Sequence, residues 1–348
     1  MRGTELKLSH FLLLAACLGV SAALCLEWEK KLEVRPAGRD IFRAQSSEEN
    51  EEEEQAFAST ETRLESGVSQ KISRSGENFT ARYNFINFDK DRISITFGMT
   101  AGEYNRYLED YGYTDAEITA LRDWREKARA AAWKTATAAP GKTEDRKAAG
   151  ERAVAEVETD YDTRLRALFL SRGFALRAGN TVECDMPAIV RRNVKLMQTL
   201  ALALQKIAVE KGYDSEELIG TVLSLVQTAI RYKIPPAIEN GTHTGGLLPP
   251  ARALLSGWGD CDTKTALLAA ILGNWNTAKM VGVAVPGHYL MAIRRLPGKG
   301  DMFVRHEGLE YVLLEPAGPA WLEPGQVSRT TTALLGGGEG YQIEPFFN

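Results

Sequence analysis

Cysteine and histidine are scarce in this 348-residue chain, with four of each, and positive charge is outweighed, 42 Lys and Arg against 46 Asp and Glu. A net charge of −4 and a pI near 5.8 leave no basic stripe, so the electrostatic footprint of a nucleic-acid binder is missing. No short zinc-type Cys/His spacing occurs, and Asp260 with Asp262 supply too few oxygens for calcium. No metal and no other cofactor is therefore expected. The apolar run Phe11 to Leu26 has 16 residues, short of the roughly 20 that usually span a bilayer.

That run follows Arg2 and Lys7 and contains Val20-Ser21-Ala22, the layout of an export signal over residues 1–26. Leu14-Ala15-Ala16-Cys17 also fits a bacterial lipoprotein box. A cleaved signal, a lipidated Cys17 and a retained anchor all put the remainder outside the cytoplasm, in the periplasm or beyond, with membrane tethering through the N-terminus left open. Residues 27–75 read as an acidic, disordered linker, because six glutamates between Glu48 and Glu54 repel one another and leave almost nothing to bury.

Folded chain is expected from residue 76 onward, as a β-hairpin and helical region over 76–200 and a catalytic region over 201–348. Between Phe79 and Met99 apolar and polar residues alternate on either side of Asp89-Lys90-Asp91, which predicts the hairpin. A helical run from Glu103 to Lys134, a break at Pro140-Gly141 and a second run through Val154, Val157, Tyr161, Leu165 and Leu168 predict an antiparallel helical pair. A helix should start at Asp185-Met186-Pro187 and continue through Ile207. Asp214 should cap another, with Leu218, Val222, Leu225, Ala229 and Tyr232 on one buried face before Pro235-Pro236 ends it. A Pro- and Gly-rich loop over 234–250 follows. Met280–Val285, His288–Arg295 and Glu310–Pro316 then read as strands, the first two joined by a tight Pro286-Gly287 turn.

Gly259 and Asp260 break the chain just before Cys261, and the apolar run behind it stops at Gly273, so Cys261 should open a helix. Unpaired N–H groups and the positive end of the helix dipole favour an anion there, and with a nearby cation can lower a thiol pKa from about 8.5 to between about 3.5 and 7.5. Asp260 and Asp262 push the other way, which makes a histidine partner more necessary. Of the four histidines, His10 lies in the signal and His243 and His306 in polar loops; His288 alone sits on a strand. Glu315 ends an apolar run, a costly place for a carboxylate unless it is paired, and could orient the imidazole. Gln227 and Trp258 are candidate oxyanion donors. A Cys184–Cys261 disulfide is the competing structural explanation for this cysteine.

Gly259-Asp260-Cys261-Asp262 opening an apolar helix, Pro286-Gly287-His288 on a strand, and Tyr311 to Pro316 with its acid together resemble the transglutaminase-like superfamily over about Leu218 to Glu323. The resemblance implies an α+β, papain-like core in which a nucleophile helix packs on a small antiparallel sheet. It implies Cys261 as nucleophile, His288 as general base and acid, and Glu315 as orienting carboxylate. The third position is more often aspartate in that superfamily, and Asp262 stands where animal members carry an aromatic residue, so the chain looks closer to bacterial peptidase-like members. The expected function is an exported cysteine hydrolase or acyltransferase acting on envelope proteins or peptides. The alternatives are a non-catalytic envelope module, with Cys261 disulfide-bonded or simply packed, and a catalytic domain held inactive by the N-terminal helical region until a signal arrives, with Cys261 buried beneath that region.

Overall fold

The computed structural model describes residues 35–36, 60–65, 67–138, 140–275, 278–337 and 340–347. The export signal, Cys17 and the Glu48–Glu54 run lie outside them. The chain divides into a small unit, residues 1–38 with Leu176–Glu183, and a large one, residues 39–175 with Cys184–Asn348. Within the small unit Arg35 and Pro36 pair in parallel with Thr181 and Val182. Everything that follows concerns the large unit.

It begins with a four-stranded antiparallel sheet in sequence order, β1 (Thr60–Glu65), β2 (Val68–Ser75), β3 (Asn78–Ile86) and β4 (Arg92–Thr100). The expected hairpin is β3–β4, and Ala81, Tyr83, Phe85, Ile93, Ile95 and Phe97 are buried from alternate positions. The linker boundary at residue 75 needs correcting, because 60–65 and 68–75 are strands.

Capping then punctuates the helices. Thr100 and Glu103 form a capping box on α1 (Ala101–Glu109), as do Thr114 and Glu117 on α2 (Asp115–Thr137). The helical run expected from Glu103 to Lys134 is thus two helices, divided where Gly112 takes φ +80° with the Thr242 side chain and His243 carbonyl where a Cβ would go. After the Pro140-Gly141 break, α3 (Thr143–Ser171) returns along α2 as expected. Asp185 caps α4 (Met186–Val194), but the chain turns at Lys195–Met197 before α5 (Gln198–Lys211), so one expected helix is again two. The expected boundary at residue 200 falls inside α5. Asp214 and Glu217 box the start of α6 (Ser215–Ser224).

Leu225–Ala229 is a π turn, and the chain then leaves as β5 (Arg231–Tyr232), so Tyr232 is 44% exposed and not on the expected buried face. Next come α7 (Pro250–Ser256), β6 (Trp258–Gly259) and α8 (Cys261–Leu272). The last sheet contains β7 (Met280–Val285), β8 (His288–Arg294), β9 (Phe303–His306) and β10 (Leu309–Leu314). It is completed beyond α9 (Arg329–Leu335) by β11 (Gln342–Pro345). Its order is β9-β10-β8-β7-β11, all antiparallel. His306, expected in a loop, ends β9.

The protein is therefore α+β with antiparallel sheets, as expected. One hydrophobic core joins the inner face of the first sheet to α4 through α8 and one face of β7 and β8. The hairpin and the α4–α8 region thus share a core. A second cluster, with Val281, Val283, Val285, Leu290 and Leu313, fills the opposite face of the last sheet under Leu334 and Leu335 of α9. Among the described residues no helix is long and apolar enough to cross a membrane.

Candidate active site

The turn that delivers Cys261 is built from glycine. Gly257 ends α7 at φ +73°, and a Cβ there would stand 2.0 Å from the Gln70 amide; one on Gly259 would stand 2.2 Å from Thr263 Cγ2. Gln70, on β2 and only 1% exposed, is oriented so that its amide donates to Gly257 O (3.0 Å) and its carbonyl accepts from Arg231 Nε (2.9 Å). Main-chain bonds from Arg231 N to Gly257 O (2.9 Å) and from Lys233 N to Gly259 O (3.2 Å) hold β5 beside β6. The Tyr83 hydroxyl of β3 donates to Leu254 O in α7. Asp260 then caps α8, its carboxylate accepting from Thr263 N at 3.0 Å, and Cys261 is the first helical residue.

Cys261 is 4% exposed, and Sγ lies 3.3 Å from Asp262 Oδ1, donating to it. A carboxylate oxygen each from Asp260 and Asp262 and the sulfur of Cys261 lie within 4.8 Å of one another. A carboxylate this close disfavours a second negative charge beside it. Sγ is not hydrogen-bonded to His288. Neither Cys261 nor Cys184 is in a disulfide, Cys184 Sγ lying 3.8 Å from Thr244 O, so the disulfide explanation is set aside.

His288 opens β8 opposite Val285 across the two-residue Pro286-Gly287 turn, with Gly287 at φ +70°. Its Nε2 meets Glu315 Oε1 at 2.9 Å and Oε2 at 3.2 Å, which leaves Nδ1 as the ring nitrogen turned away from the acid. Glu315, 2% exposed, follows β10 directly, and its Oε2 also accepts from Thr331 Oγ1 at 2.5 Å in the first turn of α9. Two acceptor oxygens thus have two partners, the condition for burying a carboxylate. Thr265 Oγ1, one turn past Cys261, donates to Tyr289 O (3.1 Å), next to His288, and ties the helix that Cys261 opens to the histidine strand. Behind them burial pushes the Tyr289 hydroxyl well up, with Glu344, Asp262 and Asp185 adding negative charge.

The two oxyanion candidates part company. Gln227, held inside by the π turn, donates to Glu315 O (2.8 Å) and Leu322 O (2.9 Å) and accepts from Leu322 N (3.0 Å). With both amide hydrogens used it staples the loop 315–322, and the oxyanion role is withdrawn. Trp258 is half-buried in β6 with Lys233 Nζ 4.8 Å over its ring. His243, expected in a loop, is buried in a short strand, bound to Asp115 (2.9 Å) and stacked on Tyr113 at 4.7 Å.

Sequence reasoning missed Gln70, Thr331 and Lys264. Lys264 carried one usable signal, a charge inside an otherwise apolar helix. In class, the arrangement is a buried cysteine at a helix N-terminus beside a strand that presents a His–Glu pair. No protein-family model, curated protein or solved structure matches the chain.

Proposed function

We propose that the protein is an exported cysteine hydrolase with a papain-like core of the transglutaminase type, acting on peptide or carboxamide bonds of cell-envelope proteins or peptides. What carries the reading is the 2.9 Å bond from His288 to a Glu315 that is 2% exposed, on a strand tied to the helix that Cys261 begins. A carboxylate is buried at this cost where it has a partner to orient.

In the forward reaction Cys261 rotates from Asp262 toward the His288 ring, and the imidazole takes the thiol proton as sulfur attacks the carbonyl carbon. The imidazolium, stabilised by Glu315, returns that proton to the departing amine as the C–N bond breaks. The resulting thioester is cleaved by water, whose proton passes to His288 while sulfur leaves; a second amine in place of water makes the same chemistry a transfer. The positive end of α8 faces the developing oxyanion, and Trp258 is the side-chain donor that remains for it. Residues 1–26 direct export, with tethering through the N-terminus as one outcome.

One observation favours a latent form of the same enzyme: Cys261 is buried and bound to Asp262. The test is iodoacetamide labelling of Cys261 against pH in the mature protein and in His288→Ala. Labelling below pH 7 that needs His288 supports an active thiol, and slow labelling that quickens when Asp262→Asn is introduced supports latency. Labelling indifferent to both changes would sink the enzyme reading.

A further inference from the structure

We propose that Lys264 is a positioning residue: as a neutral amine seated beneath the loop 315–322 it keeps that loop closed on the Gln227 staple, and taking up a proton favours the open loop. Its bearing on catalysis rests on the reading of His288 and Glu315 above; the loop movement itself does not.

Lys264 lies on the first turn of α8 and is fully buried. Its one hydrogen bond is a long one, Nζ to Gln227 O at 3.5 Å. A Cβ on Gly318 would meet Gln227 O at 2.1 Å and Lys264 Nζ at 3.1 Å, so the loop backbone lies directly against both. Gln227 then reaches the two ends of the same loop, at Glu315 O and at the Leu322 main chain. Lysine, π turn and loop form one stack, and the side chain of the loop's first residue holds His288.

Ionisable groups on the surrounding elements are engaged elsewhere. Glu315 faces His288 and Thr331, Asp260 and Asp262 face Thr263 N and Cys261, and Arg252 of α7 pairs with Glu239. Glu217 of α6 caps its own helix, and Arg191 of α4 binds Phe346 O. Among the described residues none forms an ion pair with Lys264. Burial alone pulls its amine down to about 7, and an ammonium there would offer three hydrogens to one distant carbonyl.

The sign follows from linkage. An open loop returns Lys264 to water, where its affinity for a proton is that of an ordinary lysine, near 10.4. As pH falls from about 10 to 7 only the open form gains the proton, so opening grows about tenfold per pH unit. Below about 7 both forms carry it and the dependence levels off.

The test is hydrogen exchange of the Leu322 amide, corrected for its intrinsic rate, from pH 6 to 9.5 in the full mature chain and in Lys264→Met. Expected is protection that falls about tenfold per unit from pH 9 to 7, flattens below, and loses this slope in Lys264→Met, with Leu322 exchanging ahead of the α8 amides. Protection independent of pH, a slope that survives in Lys264→Met, or exchange of Leu322 and α8 at one common rate would each overturn it. Should the variant not fold, the ¹³Cε resonance of Lys264 in the wild-type chain decides: a midpoint near 7 supports the proposal, one near 10 refutes it. No substrate enters either measurement, so the hydrolase reading can fail and leave this standing.

Discussion

Two helical regions of this molecule are built on opposite plans. In the α2–α3 pair, 23 and 29 residues long, the buried positions are Ile118, Gly150, Tyr161, Leu165 and Phe169, and the rest of the surface carries ion pairs such as Arg164–Asp160 and Arg129–Glu158. In α8 all twelve residues are buried, including Asp262, Thr263, Lys264 and Thr265. Apart from Arg125 and Arg164, which lie over the rings of Tyr161 and Trp124, a polar residue on the α2–α3 pair is largely solvated, and its identity matters little. On α8 each has an assigned contact: Asp262 holds Sγ, Thr263 Oγ1 accepts from Leu248 N at 3.0 Å, Lys264 meets Gln227 O and Thr265 ties down β8. Burial turns side-chain chemistry into structure.

The contrast can be tested from its strongest consequence down. The largest effect expected is at Lys264. Its value in the folded chain is lowered, so between about 7 and the ordinary lysine value the unfolded chain binds more protons, and stability should rise with pH across that window by on the order of 5 kcal/mol. Urea midpoints for wild type and Lys264→Met should differ most at pH 7 and below and converge near pH 10; a constant difference would mean the lysine is already paired. Next, Leu268→Ala in α8 should cost about 2–5 kcal/mol by the cavity it leaves, read from the same titration at constant m.

A smaller loss is expected at the acid. Glu315→Gln keeps shape and a hydrogen bond to His288 but cannot stabilise an imidazolium, and should slow Cys261 alkylation at neutral pH by about a hundredfold, roughly 2.7 kcal/mol. An unchanged rate would detach Glu315 from the chemistry. The smallest effect belongs to the α2–α3 pair: Lys147→Ala removes an exposed i,i+4 pair with Glu151 and should shift stability by about 0.5 kcal/mol or less. A loss above 1 kcal/mol there would break the comparison.

Local signals were legible in the sequence and distant ones were not. Asp185 and Asp214 announced their helices, Pro140-Gly141 the hairpin break, Pro286-Gly287 the turn that presents His288, and Gly259-Asp260 the helix that Cys261 opens. All act within a few residues. Tyr232 was misplaced because the π turn over Leu225–Ala229 shifts the helical phase, and what stabilises that turn lies far along the chain, at Glu315, Leu322 and Lys264. Gln70 and Thr331 share that origin. Each looks like an ordinary surface polar residue until the fold brings Gly257 or Glu315 against it. The His288–Glu315 contact was legible because a carboxylate at the end of an apolar strand is locally odd unless something pairs with it.

The glycine turn before Cys261 also bears on modularity. Its supports, Gln70 at Gly257 and Tyr83 at Leu254, come from β2 and β3, strands that precede Cys261 by about half of the chain's length. The stretch 201–348 holds Cys261, His288 and Glu315 together with Gln227 and Trp258, but not the residues that support the turn before Cys261. Severed from the first sheet it would keep those five side chains and lose the supports of the turn that places Cys261.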